Sequence, residues 1–155
     1  MPLTPPDKIN IQNKKAAFDY ELLERFTAGI QLTGSEIKSI RQGGGSIHEA
    51  YCIVRDGEIF IKGMNIPEYE YGAYANHVPT RLRKLLLRRR EINRIASKIK
   101  EKGLTLVPVR LFINERGYAK LEIALARGKK SYDKRETIKQ KTSKREMERA
   151  LKRYR

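Results

Sequence analysis

Between Lys15 and Leu32 apolar residues fall at every second position, first at Phe18, Tyr20 and Leu22 and then, in shifted phase, at Phe26, Ala28, Ile30 and Leu32. A period of two is that of half-buried strand, and the phase shift at Leu22-Leu23 predicts a bulge or bend. Thr33-Gly34-Ser35-Glu36 reads as a capping box, in which the Thr33 hydroxyl takes an early helix N–H and Glu36 reaches back. The helix it opens should run to about Gln42 and end at Gly43, Gly44 and Gly45, which accept positive φ without steric cost. Residues 50–55 and 58–64 flank Asp56-Gly57, a pair suited to a two-residue hairpin turn.

Ile66 to Thr80 holds Tyr69, Tyr71 and Tyr74 among prolines, a glycine and Asn76-His77, the composition of an ordered surface loop. From position 82, Leu82, Leu85, Leu86, Ile92, Ile95, Ala96 and Ile99 fall on one helical stripe with Arg83, Arg90, Arg94 and Lys98 opposite. This predicts a helix of about 20 residues, roughly 30 Å long, stopped by Gly103. Residues 104–113 and 118–126 predict a second hairpin with Leu121, Ile123 and Leu125 on one face. The sum is about six antiparallel strands and two to three helices. The expected fold class is mainly β with helices, a small closed barrel of the oligonucleotide-binding type, occupying residues 1–126.

From Arg127 the apolar content collapses. Residues 127–155 have the composition of a tail that is disordered when free, with a latent helical stripe at Met147, Ala150, Leu151 and Tyr154 that would order on a polyanionic surface. Charge sharpens this division. Lys and Arg total 34 against 18 Asp and Glu, a formal net charge of +16. Residues 79–102 hold ten basic and two acidic side chains and 127–155 hold thirteen and four, so the two segments contribute +8 and +9. The remainder is nearly neutral, which is the distribution a polyanion-binding protein needs, because each cation that neutralises a phosphate releases a counterion.

Cys52 is the only cysteine, so neither an intramolecular disulfide nor a thiolate metal cage is expected, and a reducing cytoplasmic home follows. The start lacks a basic region followed by an apolar one, and no apolar run approaches the roughly 20 residues of a membrane span. His77 beside Asn76 has only His48 as a possible companion and no carboxylate pair at ligand spacing, so no metal or cofactor is expected. Gly128-Lys129-Lys130-Ser131 ends like a nucleotide-phosphate loop, but the position that needs its first glycine is Ile123. Gln42-Gly43-Gly44 reverses the Gly-Gly-Gln order of a peptide-release loop, and no Ser/His/Asp arrangement replaces it. No catalytic residues are therefore expected.

The ridge of Arg81, Arg83, Lys84 and Arg88 is too uniformly basic for a merely solvating helix face, which intersperses both signs. Glu36 keeps two readings, helix cap or acceptor from base amino groups. Packing of the tyrosine rings on the barrel is favoured over stacking on unpaired bases.

Four strings resemble the SsrA-binding protein family, also called small protein B: Thr33 to Arg41, Asn76-His77 through Pro79 to Leu87, Gly103 to Pro108, and Gly128 to Arg135. The resemblance spans residues 9 to about 139 in order. It implies an oligonucleotide-binding-type barrel that binds the tRNA-like domain of transfer-messenger RNA and acts in trans-translation, the rescue of stalled ribosomes. On this reading the RNA-binding residues are Asn13, Lys14, Glu36, Lys38, Arg41, Asn76, His77, Arg81, Arg83, Lys84 and Arg88. The ribosome-binding tail residues are Lys129, Lys130, Tyr132, Asp133, Lys134, Arg135 and Lys139, with the tail entering the empty message channel along small-subunit ribosomal RNA. A monomer is expected. The rival is a ribosomal or ribosome-assembly protein without preference for transfer-messenger RNA.

Overall fold

A computed structural model describes residues 9–72, 76–129 and 131–153. Its body is one seven-stranded antiparallel sheet with three helices packed around it. The strands are β1 (Asn10–Gln12), β2 (Tyr20–Ile30), β3 (Tyr51–Arg55), β4 (Glu58–Lys62), β5 (Arg83–Leu86), β6 (Thr105–Ile113) and β7 (Ala119–Gly128). Their order in the sheet is β1-β6-β7-β2-β5-β4-β3. The four helices are α1 (Lys14–Asp19), α2 (Gly34–Arg41), α3 (Arg89–Lys102) and α4 (Ser131–Arg153).

Local chemistry places several elements where the residue pattern puts them. The phase shift at Leu22-Leu23 is a register shift between Leu22 and Glu24 within β2, a bulge in one continuous strand. The capping box closes on α2: Thr33 Oγ1 accepts from Glu36 N–H at 3.4 Å, and Glu36 Oε1 accepts from Thr33 N–H at 2.9 Å. Asp56 and Gly57 both adopt positive φ, 52° and 74°, as a two-residue hairpin between β3 and β4 requires. Ile59, Ile61, Leu85, Leu111, Leu121 and Ile123 are fully buried and centre the core.

β1 has no counterpart in the pattern reading, and two further elements differ from it. The first residues of the expected strand at Lys15 are helical, because Asn13 caps α1 with its Oδ1 accepting from Ala16 N–H at 3.2 Å. The second difference is larger. The expected 20-residue helix begins as a strand: Leu85 pairs with Ile59 of β4 and Leu86 with Gly29 of β2. Arg83 and Leu85 point inward while Lys84 is half-buried and Leu86 exposed, a period of two. The helix starts only at Arg89, where Arg88 N–H donates to Glu91 Oε1 at 3.2 Å. Its 14 residues reach about 21 Å at 1.5 Å per residue. Within the basic tail, Ser131–Arg153 form a 23-residue helix where the composition predicts a segment without order of its own. No helix among the described residues is long and apolar enough to cross a membrane.

Candidate nucleic-acid interface

The basic segment around Arg81 does two opposite things. Arg83 does not lie on an outer ridge: its side chain is fully buried and ion-paired, through Nε, to the equally buried Glu36. Its Nη1 donates to Met64 O at 2.9 Å and Arg81 O at 3.0 Å, and its Nη2 to Pro79 O at 3.0 Å and Val78 O at 3.5 Å. All five guanidinium donors are thereby used, which is the condition for burying this group. Arg81 reaches the same carboxylate at 2.6 Å from a half-exposed position. Burial by itself would raise the Glu36 carboxyl, but the hydrogen bonds from Arg81, the Thr33 backbone and Arg83 outweigh it and hold Glu36 at about 2. Of its two sequence readings, the enclosed carboxylate supports the cap, extended into a clamp that ties α2 to β5.

Three other expected RNA ligands, Asn13, Asn76 and His77, make hydrogen bonds within the fold. Asn13 is buried, and its Nδ2 donates to Pro108 O at 2.9 Å and Ile47 O at 3.2 Å. His77 is buried, with Nε2 donating to Ile66 O at 2.8 Å and Nδ1 bonded to Ser35 Oγ at 2.9 Å. Asn76 Nδ2 donates to Tyr69 O at 2.7 Å and its Oδ1 accepts from Tyr69 N–H at 3.0 Å, folding the loop back on itself. Lys38 is exposed over the Tyr69 ring, 5.7 Å from its centroid. Tyr71 does not pack on the body; it is 72% exposed and meets Tyr69 edge-on. Tyr74 lies outside the described residues. Lys14 is exposed on α1.

Arg41, Lys84 and Arg88 come together with residues that the sequence reading passed over. A cavity of about 490 Å³ is lined by Arg41, Arg116 and Lys120 and by the apolar surfaces of Leu86, Tyr118 and Ile37. Arg41 Nη2 donates to Gly117 O at 3.2 Å, and its buried Nε has no hydrogen-bond partner among the described residues. A second hollow of about 500 Å³ shares Gly29, Leu86 and Lys120 with the first and adds Lys84, Arg88 and Arg89. Gly29, in the wall common to both, lies close beneath Leu86 and Lys120: a Cβ there would stand 3.3 Å from Leu86 Cβ and 3.7 Å from Lys120 Nζ. Glu58 pairs with Arg89 at 2.8 Å and Lys84 at 3.7 Å, leaving the groove positive overall. Leu86 and Tyr118 are 51% and 65% exposed within it. Cations beside exposed apolar and aromatic surface suit a strand of phosphates with splayed bases. Arg116, Tyr118 and Lys120 lie in or beside the Asn114–Gly117 turn, and the outward phase of Lys120 opposite buried Leu121 is the signal that marks it.

In the tail, Arg135 and Lys139 are exposed. Lys129 N–H donates to Asp19 O at 2.9 Å and its Nζ to Ala17 O at 3.2 Å, so this residue anchors the tail to α1. Lys130 and the side chains of Tyr132, Asp133 and Lys134 lie outside the described residues. No group of three or more His, Cys, Asp or Glu among the described residues is placed to hold a metal ion.

An antiparallel sheet with a basic, partly apolar groove and a charged helix leaving its last strand defines a nucleic-acid-binding module. The family described as SmpB protein matches residues 10–153, and the chain belongs to that family. It is 55% identical over 148 residues to an SsrA-binding protein of Phocaeicola vulgatus, covering 96% of this chain and 99% of the relative. It is 57% identical over 141 residues to an SsrA-binding protein of Cytophaga hutchinsonii, covering 91% and 92%. A solved structure described as "tmRNA-SmpB: a journey to the center of the bacterial ribosome" superposes with a TM-score of 0.66 at 46% identity, covering 79% of this chain and 86% of that one.

Proposed function

We propose that this chain is a binding adaptor, without a catalytic step of its own, that holds the tRNA-like domain of transfer-messenger RNA and brings it to stalled ribosomes for trans-translation in the cytoplasm. The observation that carries this reading is the groove of Arg41, Lys84, Arg88, Arg116 and Lys120 around exposed Leu86 and Tyr118. The relatives' names, which state that they bind SsrA, and the ribosomal setting of the solved structure support the same reading. Folded RNA offers little readable sequence in its deep groove, so shape, phosphate and 2′-hydroxyl contacts should carry recognition.

The sheet is read here as curled into an oligonucleotide-binding-type barrel. In support, β3 ends the ladder on one side, yet it lies against β6, the second strand from the other side. The body is residues 1–126 and the tail 127–155. Every α4 residue whose burial is described is exposed. A single helix with little packing is marginal in water, so the tail orders fully only against a polyanion, which we take to be ribosomal RNA of the small subunit.

Sequencing the RNA that co-purifies with the tagged full chain tests the reading. A dominant tRNA-like species is expected. Ribosomal RNA in simple stoichiometry, with no tRNA-like species enriched, would replace the adaptor by a ribosomal protein.

A further inference from the structure

The outer face of β2, β7 and β6 carries a cluster that neither the hollows nor the sequence reading accounts for. Glu122, on β7, uses both carboxylate oxygens on arginines from the two flanking strands. Arg25 Nη1 donates to Oε1 at 2.9 Å, and Arg110 Nε donates to Oε2 at 2.7 Å. The Arg110 guanidinium also lies over the Phe112 ring, 4.1 Å from its centroid. Glu122 is shielded, its side chain 14% exposed, whereas Arg25 and Arg110 are 59% and 37% exposed. Each arginine gives Glu122 one of its five N–H donors, which leaves both guanidiniums further donors for a ligand. Two cations held by one anion leave a net positive charge. Thr27 and Arg110 flank Glu122 in the sheet register, Gln12 stands opposite Arg110, and Phe112 stands opposite Lys120 of the groove.

The two arginines lie toward solvent, 59% and 37% exposed, where ion pairs add little stability, while the shielded Glu122 holds them from below. What the arrangement does is fix two long, otherwise mobile side chains in one orientation. A planar guanidinium fork matches phosphate oxygens bidentately, and a fork already immobilised loses less entropy on binding. We propose that Arg25 and Arg110 form a preorganised clamp for phosphodiester groups of bound RNA, continuous with the groove through Lys120, and that Glu122 is its positioning residue. This inference rests on the RNA-binding reading above.

Glu122→Gln separates positioning from charge, because the two predict opposite signs. The substitution adds one positive charge to the chain, so simple electrostatic attraction predicts tighter binding. The clamp predicts weaker binding, by about tenfold, the scale of one charge-assisted hydrogen bond. Anisotropy titrations of the full chain would use labelled tRNA-like-domain RNA and a length-matched RNA duplex, with melting curves taken in parallel. Arg110→Lys, which keeps the charge and loses the fork, is expected to weaken binding about as much as Arg110→Gln. Unchanged or tighter binding by Glu122→Gln, or wild-type affinity in Arg110→Lys, overturns the clamp. Should Glu122→Gln lower the melting temperature, the Arg110→Lys result decides. Equal wild-type affinity for the two RNAs would overturn the choice of RNA in the proposed function; the clamp is then judged by the same variants on the duplex.

Discussion

The two basic segments carry nearly the same charge, +8 over residues 79–102 and +9 over 127–155, yet the structure treats them differently. In the first, Arg83 is the largest fully buried side chain among the described residues and its neighbours alternate between core and groove. In the second, the described residues from Ile138 to Leu151 are all exposed on one helix. Charge density therefore does not decide which segment is a face and which is framework. The decisive feature is whether apolar residues accompany the charges at a period that a neighbouring strand can pair. In the first segment Leu85 is fully buried and pairs with Ile30 and Ile59, carrying Arg83 to the same inner face; in the second, the described residues from Ile138 to Leu151 are all exposed.

The contrast breaks most visibly at the clamp between α2 and β5. Glu36→Ala leaves Arg83 charged and without its partner in the core, which should cost about 3–5 kcal/mol and lower the melting temperature by on the order of 10 °C. Arg135→Glu in the tail should leave thermal melting of the body unchanged. Equal small shifts in both variants would erase the distinction.

Acid sharpens the same point. The Glu36 carboxyl sits at about 2 when folded against 4.5 ordinarily. A depressed folded value means that its stabilisation is complete above about pH 4.5 and is lost as pH falls toward 2. At about 1.4 kcal/mol per unit this amounts to about 3 kcal/mol. Chemical denaturation measured from pH 6 to pH 2 should show that loss, and Glu36→Gln should be less stable at pH 6 and flatter through the window.

A smaller effect is expected at Asn13, which caps α1 and bonds two buried carbonyls. Asn13→Ala should cost about 1–3 kcal/mol and should weaken RNA binding only in proportion to the unfolded fraction. A large loss of affinity with unchanged melting would instead make Asn13 an RNA ligand.

What was legible in the sequence was local. The capping box of Thr33 and Glu36, the Asp56-Gly57 turn, the bulge beside Leu22 and both hairpins are each determined within a few residues, and each stands where the pattern put it. What was not legible depended on partners distant in the chain. Leu82 to Leu87 fits a helical stripe better than a strand alternation, which would put Arg83 inward, and pairing with Gly29 and Ile59 nevertheless selects the strand. The same selection turns Arg83 inward, so the most basic string contributed one fewer ligand than its charge suggested. Arg116 and Lys120 were overlooked because their segment is nearly neutral; they join the site only when the turn after β6 meets Arg41 of α2.

The central claim is a division of labour between groove and tail. Titrating isolated tRNA-like-domain RNA against the full chain, a truncation ending at Gly128, and the double variant Arg116→Glu/Lys120→Glu tests it most directly. The account predicts that the truncation binds within a few-fold of the full chain, while the double variant binds about 100-fold more weakly, with a salt dependence reduced by about two phosphate contacts. Collapse of binding in the truncation, with the double variant intact, would contradict it.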